Sequence, residues 1–231
     1  DTDLSPTVRS AAVTALGRIG DPATTGLLVD GLDEDLEPRR AAAAALGYVA
    51  HDGQRAVLER LAEAMTDDTD APTRHFAAIS LGRIGGETAR AHLHRAFEDS
   101  RADMRPWLAL ALALCERSAG EPQARDEVVD LILARLPDEG NAHTTGAYMV
   151  ALGLTGSPRA LPTLTLALER SSVRVAGHAA LGLGISGQPE AAAPLRTALA
   201  HRTAPFVVRQ AALALGLLGD TASLPQMVDL M

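Results

Sequence analysis

A leucine-glycine pair returns along the whole chain, at Leu16-Gly17, Leu46-Gly47, Leu81-Gly82, Leu152-Gly153, Leu183-Gly184 and Leu215-Gly216, with a degraded copy at Leu112-Ala113. Taking the second residue of each pair as a mark, the intervals are 30, 35, 31, 40, 31 and 32 residues. Self-similarity at such a period is the signature of a solenoid, in which each unit buries its apolar face only on its neighbours. The 231 residues therefore read as one array of about seven units, over roughly 5–35, 36–70, 71–102, 103–140, 141–171, 172–204 and 205–231. The chain opens on the entry to a repeat without an initiator Met and stops inside a second helix, so it reads as a fragment of a longer chain.

Each unit reads as two helices. In the first, the run 7–19 sets Val8, Ala11, Ala12, Ala15, Leu16 and Ile19 three and four residues apart, one broad apolar face of the kind a repeat buries on its neighbours. Gly20-Asp21-Pro22 ends it. Glycine accepts the left-handed conformation that closes a helix, aspartate caps the next, and proline fits a first turn. The same turn stands at Gly156-Ser157-Pro158 and Gly187-Gln188-Pro189, with variants at Gly85-Gly86-Glu87 and Gly219-Asp220. Second helices are expected over 23–32, 55–65, 88–97, 123–136, 160–168, 190–199 and from 223 on.

Acidic segments separate the units, at Asp33-Glu34-Asp35, Asp67-Asp68-Thr69-Asp70, Glu98-Asp99 and Asp138-Glu139. The first helices that follow mostly open on an arginine. Arg9, Arg39, Arg74 and Arg105 stand eight residues before their marks, Arg174 ten and Arg209 seven. Recurrence at one structural position favours pairing of arginine and acidic turn along the stack, with an acidic binding face as the alternative.

Unit four departs from the pattern. Trp107-Leu108-Ala109-Leu110-Ala111-Leu112-Ala113-Leu114-Cys115 alternates like a strand, but its phase in the array makes it a first helix. It carries the only tryptophan and precedes the longest interval, with 117–122 expected as a loop. Two readings stay open: a distorted local core, or an apolar patch of Trp107 and neighbouring leucines for a partner or a second copy.

The pattern Val8-Arg9, Ala11-Ala12, Ala15-Leu16-Gly17 and Ile19-Gly20-Asp21-Pro22, repeated around Leu81-Gly82-Arg83-Ile84-Gly85, resembles the HEAT family, specifically the short HEAT-like repeats also found in phycobilisome lyases. The resemblance covers nearly the whole chain and is specific for fold. It implies an all-α, right-handed α-solenoid of about seven two-helix repeats, with first helices on the convex side and second helices lining a concave surface. It leaves function open, because relatives with this repeat include assembly scaffolds, bilin-handling proteins, a metal-dependent hydroxylase and DNA-repair glycosylases.

Composition narrows the field. The apolar fraction is 47% with only 3% aromatic residues, so the core is built from small aliphatic side chains that let helices approach closely. All 21 basic residues are arginine, which excludes Schiff-base chemistry and a phosphate-loop lysine, and the Ala and Arg excess fits a GC-rich bacterial source. A net charge of −8 opposes binding to phosphate backbones. The single Cys115 cannot form an internal disulfide and reads as a buried, inert thiol, and no stretch of about 18 apolar residues occurs; a soluble, cytoplasmic protein is expected.

No catalytic constellation, metal site or cofactor is indicated. His92 and His94 are two apart, so on a helix their rings point roughly 200° from each other and cannot share a metal. The repeated His-Glu dipeptides that the hydroxylase relatives use for iron are absent. Gly182-Leu183-Gly184-Ile185-Ser186-Gly187 is the repeat's own ending and no phosphate loop, since no strand precedes it. The reading adopted is a non-enzymatic scaffold that binds a protein or peptide on its concave surface, through Arg90, His94, Arg95, Arg159, Thr163 and Arg196 on second helices and through Trp107. The alternative is a lyase or accessory subunit handling a bilin or similar prosthetic group. DNA binding is a third reading, opposed by a scarcity of aromatic residues on second helices.

Overall fold

The computed structural model describes residues 5–100, 103–136, 140–201 and 204–231, and among these it contains fourteen α-helices and no strand. They form seven successive pairs: α1 (Pro6–Ile19) and α2 (Thr25–Asp30), α3 (Leu36–Val49) and α4 (Arg55–Asp67), α5 (Ala71–Ile84) and α6 (Gly86–Asp99), α7 (Arg105–Ala119) and α8 (Pro122–Arg135), α9 (Ala142–Thr155) and α10 (Leu161–Arg170), α11 (Val173–Ser186) and α12 (Ala192–His201), α13 (Pro205–Leu218) and α14 (Leu224–Val228). They fall into two compact units, one up to Ala119 and one from Gly120. In the first, α1, α3, α5 and α7 pack in succession, with α4 on α5 and α6 on α7. In the second, α9, α11 and α13 do the same, with α10 on α11 and α12 on α13.

The leucine-glycine mark is the joint between consecutive first helices. A β-carbon added at Gly17 would fall 2.6 Å from the Ala45 Cβ, and one at Gly47 would fall 2.6 Å from the Ser80 hydroxyl oxygen. At Gly184 it would fall 2.5 Å from the Ala214 Cα, and at Gly82 and Gly153 it would collide with the carbonyls of Ala111 and Gly182. In every joint the partner stands two residues before the next mark and is small. Leu46, Leu81, Leu152, Leu183 and Leu215 of these pairs are fully buried, while Leu16 in α1 is half-buried.

Helix ends follow the expected chemistry. Gly20, Gly156, Gly187 and Gly219 close their helices at φ between 65 and 74°. The Asp21 carboxylate accepts from the Ala23 amide at 2.9 Å, and the Ser157 hydroxyl from the Arg159 amide at 3.1 Å. Both cap short 3-10 turns, 22–24 and 158–160, that lead into α2 and α10.

Unit four is helical, as its phase requires, but 117–122 is not a loop. α7 runs on to Ala119 and α8 begins at Pro122, so the connection is Gly120-Glu121 alone. Leu108, Ala109, Ala111, Leu112, Ala113 and Cys115 are buried in the core, while Leu110 and Leu114 are half-buried. A second departure lies in α1. The apolar face read from its spacing is not buried: Val8, Ala11, Ala12, Ala15 and Ile19 are all exposed, because that side has no preceding helix on it among the described residues.

The arginine and acidic-turn pairing is present in the first unit. Arg9 meets Glu34 and Asp35, Arg39 meets Asp68, Arg40 donates to both Asp70 oxygens at 2.8 and 2.6 Å, and Arg74 reaches Asp103 at 3.5 Å. Each arginine thus ties its first helix to the turn that starts the next one. The acidic segment Asp138-Glu139 lies outside the described residues; among those described in the second unit, Arg174 reaches His143 at 3.4 Å and the Arg209 guanidinium lies over the Phe206 ring.

Candidate functional site

A groove of about 910 Å³ lies in the first unit, between α4 and α6. Their amphipathic spacing turns Leu58, Leu61, Leu93 and Phe97 into the core and leaves Glu59, Glu63, Thr66, His92, Arg95 and Asp99 along the open sides. The rims are the junctions at Asp67-Asp68-Thr69 and Ser100, Asp103 and Met104, and Leu108 and Met65 form part of the floor.

One wall is tightly held. Arg74 donates to the Asp68 carbonyl at 2.8 Å and reaches the Asp103 carboxylate, while Asp70 caps α5 through the Thr73 amide at 2.9 Å. The Arg40 guanidinium beside Asp70 and the Thr73 bonds hold that carboxyl well below the usual carboxylate range. Asp67 and Asp99 differ. Each ends a helix, where the backbone dipole is negative, and neither makes an ion pair among the described residues. Arg95 is likewise exposed and unpaired among them. Six carboxylates against Arg74, Arg95 and His92 leave the groove acidic.

The expected contact residues fall in different places. Arg90, His94, Arg95 and Trp107 belong to the first unit, and Arg159, Thr163 and Arg196 to the second. Arg90, expected as a concave-surface contact, is engaged within the stack: it donates Nε and Nη2 to the two Glu116 oxygens at 2.7 and 2.6 Å. His94 is half-buried and does not line the groove, whereas His92 does. Arg159 makes a two-point pair with Asp130 at 3.1 and 2.8 Å, with both side chains exposed. Arg196 donates to the Ala192 carbonyl and lies 3.6 Å from Asp220, and Thr163 is half-buried on α10.

Trp107 stacks on His75 with ring centroids 4.5 Å apart and planes 14° from parallel, and remains 36% exposed. Burial, with the nearby Arg74 charge, pushes the His75 pKa below its ordinary value. The pair joins α5 to α7, so Trp107 works inside the stack as well as at its surface. Sequence reasoning missed Glu59, Glu63, Asp67, Asp99 and His92 as groove residues. The available signal for Asp67 and Asp99 is the acidic junctions, whose alternative reading is an acidic binding face; Glu59, Glu63 and His92 lie on the helices outside those junctions.

Other chemistry is sparse. Cys115 is buried, and burial beside Glu116 pushes its thiol up to about 12, far from a reactive thiolate. Among the described residues no group of three or more His, Cys, Asp or Glu side chains converges as a metal site, and no helix is long and apolar enough to cross a membrane.

Paired helices joined through recurrent small-residue contacts, with arginines stapled to the following turns, define a helical-repeat protein. The HEAT-repeat family model matches residues 1–47, 27–113, 129–216 and 162–231, and the chain belongs to that family. Among solved structures it is similar to a chain in the complex of CpcE and CpcF of phycocyanin lyase from Nostoc sp. PCC7120, with 26% identity and a TM-score of 0.57, covering 88% of this chain and 80% of that one. Human deoxyhypusine hydroxylase in complex with glycerol is more distant, with 21% identity and a TM-score of 0.43, covering 94% and 81%. No curated protein matches the sequence.

Proposed function

We propose that this HEAT-repeat chain is a non-enzymatic scaffold that holds a segment of another protein in the groove between α4 and α6. The observation that carries the reading is the groove itself: about 910 Å³, with Asp67, Asp99 and Arg95 in its lining making no ion pair among the described residues. Its volume falls in the range of sites that enclose a short run of residues or a small ligand. The likeness to a chain solved as part of a two-protein complex supports a protein partner.

The charge of the site refines the partner. Arginines reading acidic side chains would need free guanidinium groups, yet Arg90 and Arg74 are engaged and Arg95 alone lines the groove unpaired among the described residues. Asp67 and Asp99, set at negative helix ends, favour arginine or lysine side chains on the incoming segment. His94, Arg159, Thr163 and Arg196 remain proposed outer contacts on their own units.

Fluorescence anisotropy with labelled basic, neutral and acidic peptides of equal length tests this. The basic peptide binds, and the double variant Asp67→Arg/Asp99→Arg weakens it at least about tenfold, or ~1.4 kcal/mol. Preference for the acidic peptide, or no binding to any of the three, overturns the reading. A second reading, a lyase or accessory subunit handling a prosthetic group, is favoured by the same likeness to the phycocyanin lyase complex. A visible absorbance band retained through purification from the source cells would select it.

A further inference from the structure

The groove between α4 and α6 is lined by six carboxylates, but four of them are already paired. Glu59 accepts from Arg55 at 2.9 Å and Glu63 from Arg60 at 2.7 Å, each pair within α4. Asp68 lies 3.4 Å from Arg39 and Asp103 lies 3.5 Å from Arg74, the ties that hold first helices to the turns ahead. Asp67, Asp99 and Arg95 remain, all exposed and without an ion pair among the described residues. These charges, and not the total, set what an incoming segment meets.

They are separated along the groove. Asp67 is the last residue of α4 and Asp99 the last of α6, so both carboxylates stand at C-terminal helix ends. Arg95 lies four residues before Asp99 on α6, one turn back on the same face and about 6 Å along the axis. His92, a further turn back, lines the groove behind it. An arginine that precedes its acid by one turn opposes the helix dipole at both charges, the weaker orientation for a pair within a helix. That agrees with Arg95 and Asp99 standing apart, and it leaves each to a partner.

We propose that the segment held here is of mixed charge, extended, with a basic side chain between Asp67 and Asp99 and an acidic one at Arg95. The inference rests on the reading of the groove as a site for a segment of another protein. In an extended chain the side chains of residues i and i+2 leave on the same side, about 6.6–6.8 Å apart, which matches the one-turn step between Asp99 and Arg95. Residues i and i+3 point to opposite sides and cannot serve both charges. A segment with cations alone sets one of them against Arg95, and one with carboxylates alone sets them against Asp67 and Asp99.

Fluorescence anisotropy with labelled peptides of one length, otherwise neutral and differing only at the centre, tests this. The parent is expected to bind Glu-x-Arg about threefold more tightly than Gln-x-Arg, the contribution of an exposed ion pair. Arg95→Ala removes that preference, and in Arg95→Glu an Arg-x-Arg peptide becomes tighter than Glu-x-Arg. Glu-x-x-Arg gains nothing over its Gln counterpart. Equal binding of Glu-x-Arg and Gln-x-Arg by the parent overturns the proposal, as does a preference that survives Arg95→Ala or an equal gain for Glu-x-x-Arg. Each of these leaves the groove reading in place, provided that the peptides bind and that Asp67→Asn/Asp99→Asn weakens them. Failure of every peptide to bind removes both.

Discussion

The Arg90 guanidinium and the Glu116 carboxylate meet at two points, 2.7 and 2.6 Å, and the Glu116 side chain is almost completely enclosed. The pair fastens α6 to α7. Removing the arginine takes a two-point charged partner from a buried carboxylate, which costs about 3 kcal/mol or more. Arg90→Ala is therefore expected to lower the urea midpoint strongly. Arg95→Ala, on the same helix but exposed, stays within about 0.5 kcal/mol of the parent. Equal stability of the two variants would remove Arg90 from the core.

The joints predict opposite outcomes for one substitution at two glycines. Gly153→Ala drives a methyl into the Gly182 carbonyl and should destabilise by about 2–3 kcal/mol, since neither backbone can retreat without moving a helix. Gly216→Ala has open space and should stabilise by about 0.5–1 kcal/mol through helix propensity. Thermal unfolding of the two variants beside the parent reads both signs.

Asp70 accepts from Arg40 and from the Thr73 amide, and its carboxyl titrates well below the ordinary range. A depressed folded pKa contributes stability above the unfolded value of about 3.9, and that contribution is lost as pH falls through the folded one. Asp70→Asn keeps an acceptor for Thr73 but no charge. Its deficit against the parent should be full above pH of about 5 and shrink below about 4. Asp70→Ala loses the cap as well, about 1 kcal/mol more. Denaturant titrations across pH 2–6 check both.

His75 has the same sign from a different cause. Burial, then the Arg74 charge, disfavours its protonated form, so stability is full above the ordinary histidine value of about 6.5 and falls as pH drops below it. His75→Phe keeps a ring against Trp107 and cannot titrate. The parent should therefore lose stability relative to this variant between about pH 7 and 5. Trp107, the only tryptophan, reports unfolding by its emission.

Periodicity made the helix pairs legible, because the sterics of a joint admit only glycine beside a small residue. The ties of Arg9, Arg39 and Arg74 to acidic turns were legible for the same reason, each recurring at one offset. Arg90 was not, because its partner Glu116 lies 26 residues on, at the end of a run read as apolar. The exposure of the α1 face was not legible either. Its residues carry the pattern that is buried in α3, and a local pattern does not say whether a neighbour stands on it. The groove was obscured by mixed duty, since Asp68 and Asp103 hold the stack while Asp67 and Asp99, in or beside the same acidic turns, do not.

A joint made of one glycine and one small residue two places before the next mark has no individuality. Excision of residues 48–82, one period of 35, would bring Gly47 to Ala111 where Gly82 now lies, and Arg39 to Asp103 in the place of Arg74. The length of such a chain is a copy number, open to gain and loss by recombination in whole steps, where a closed core would forbid both.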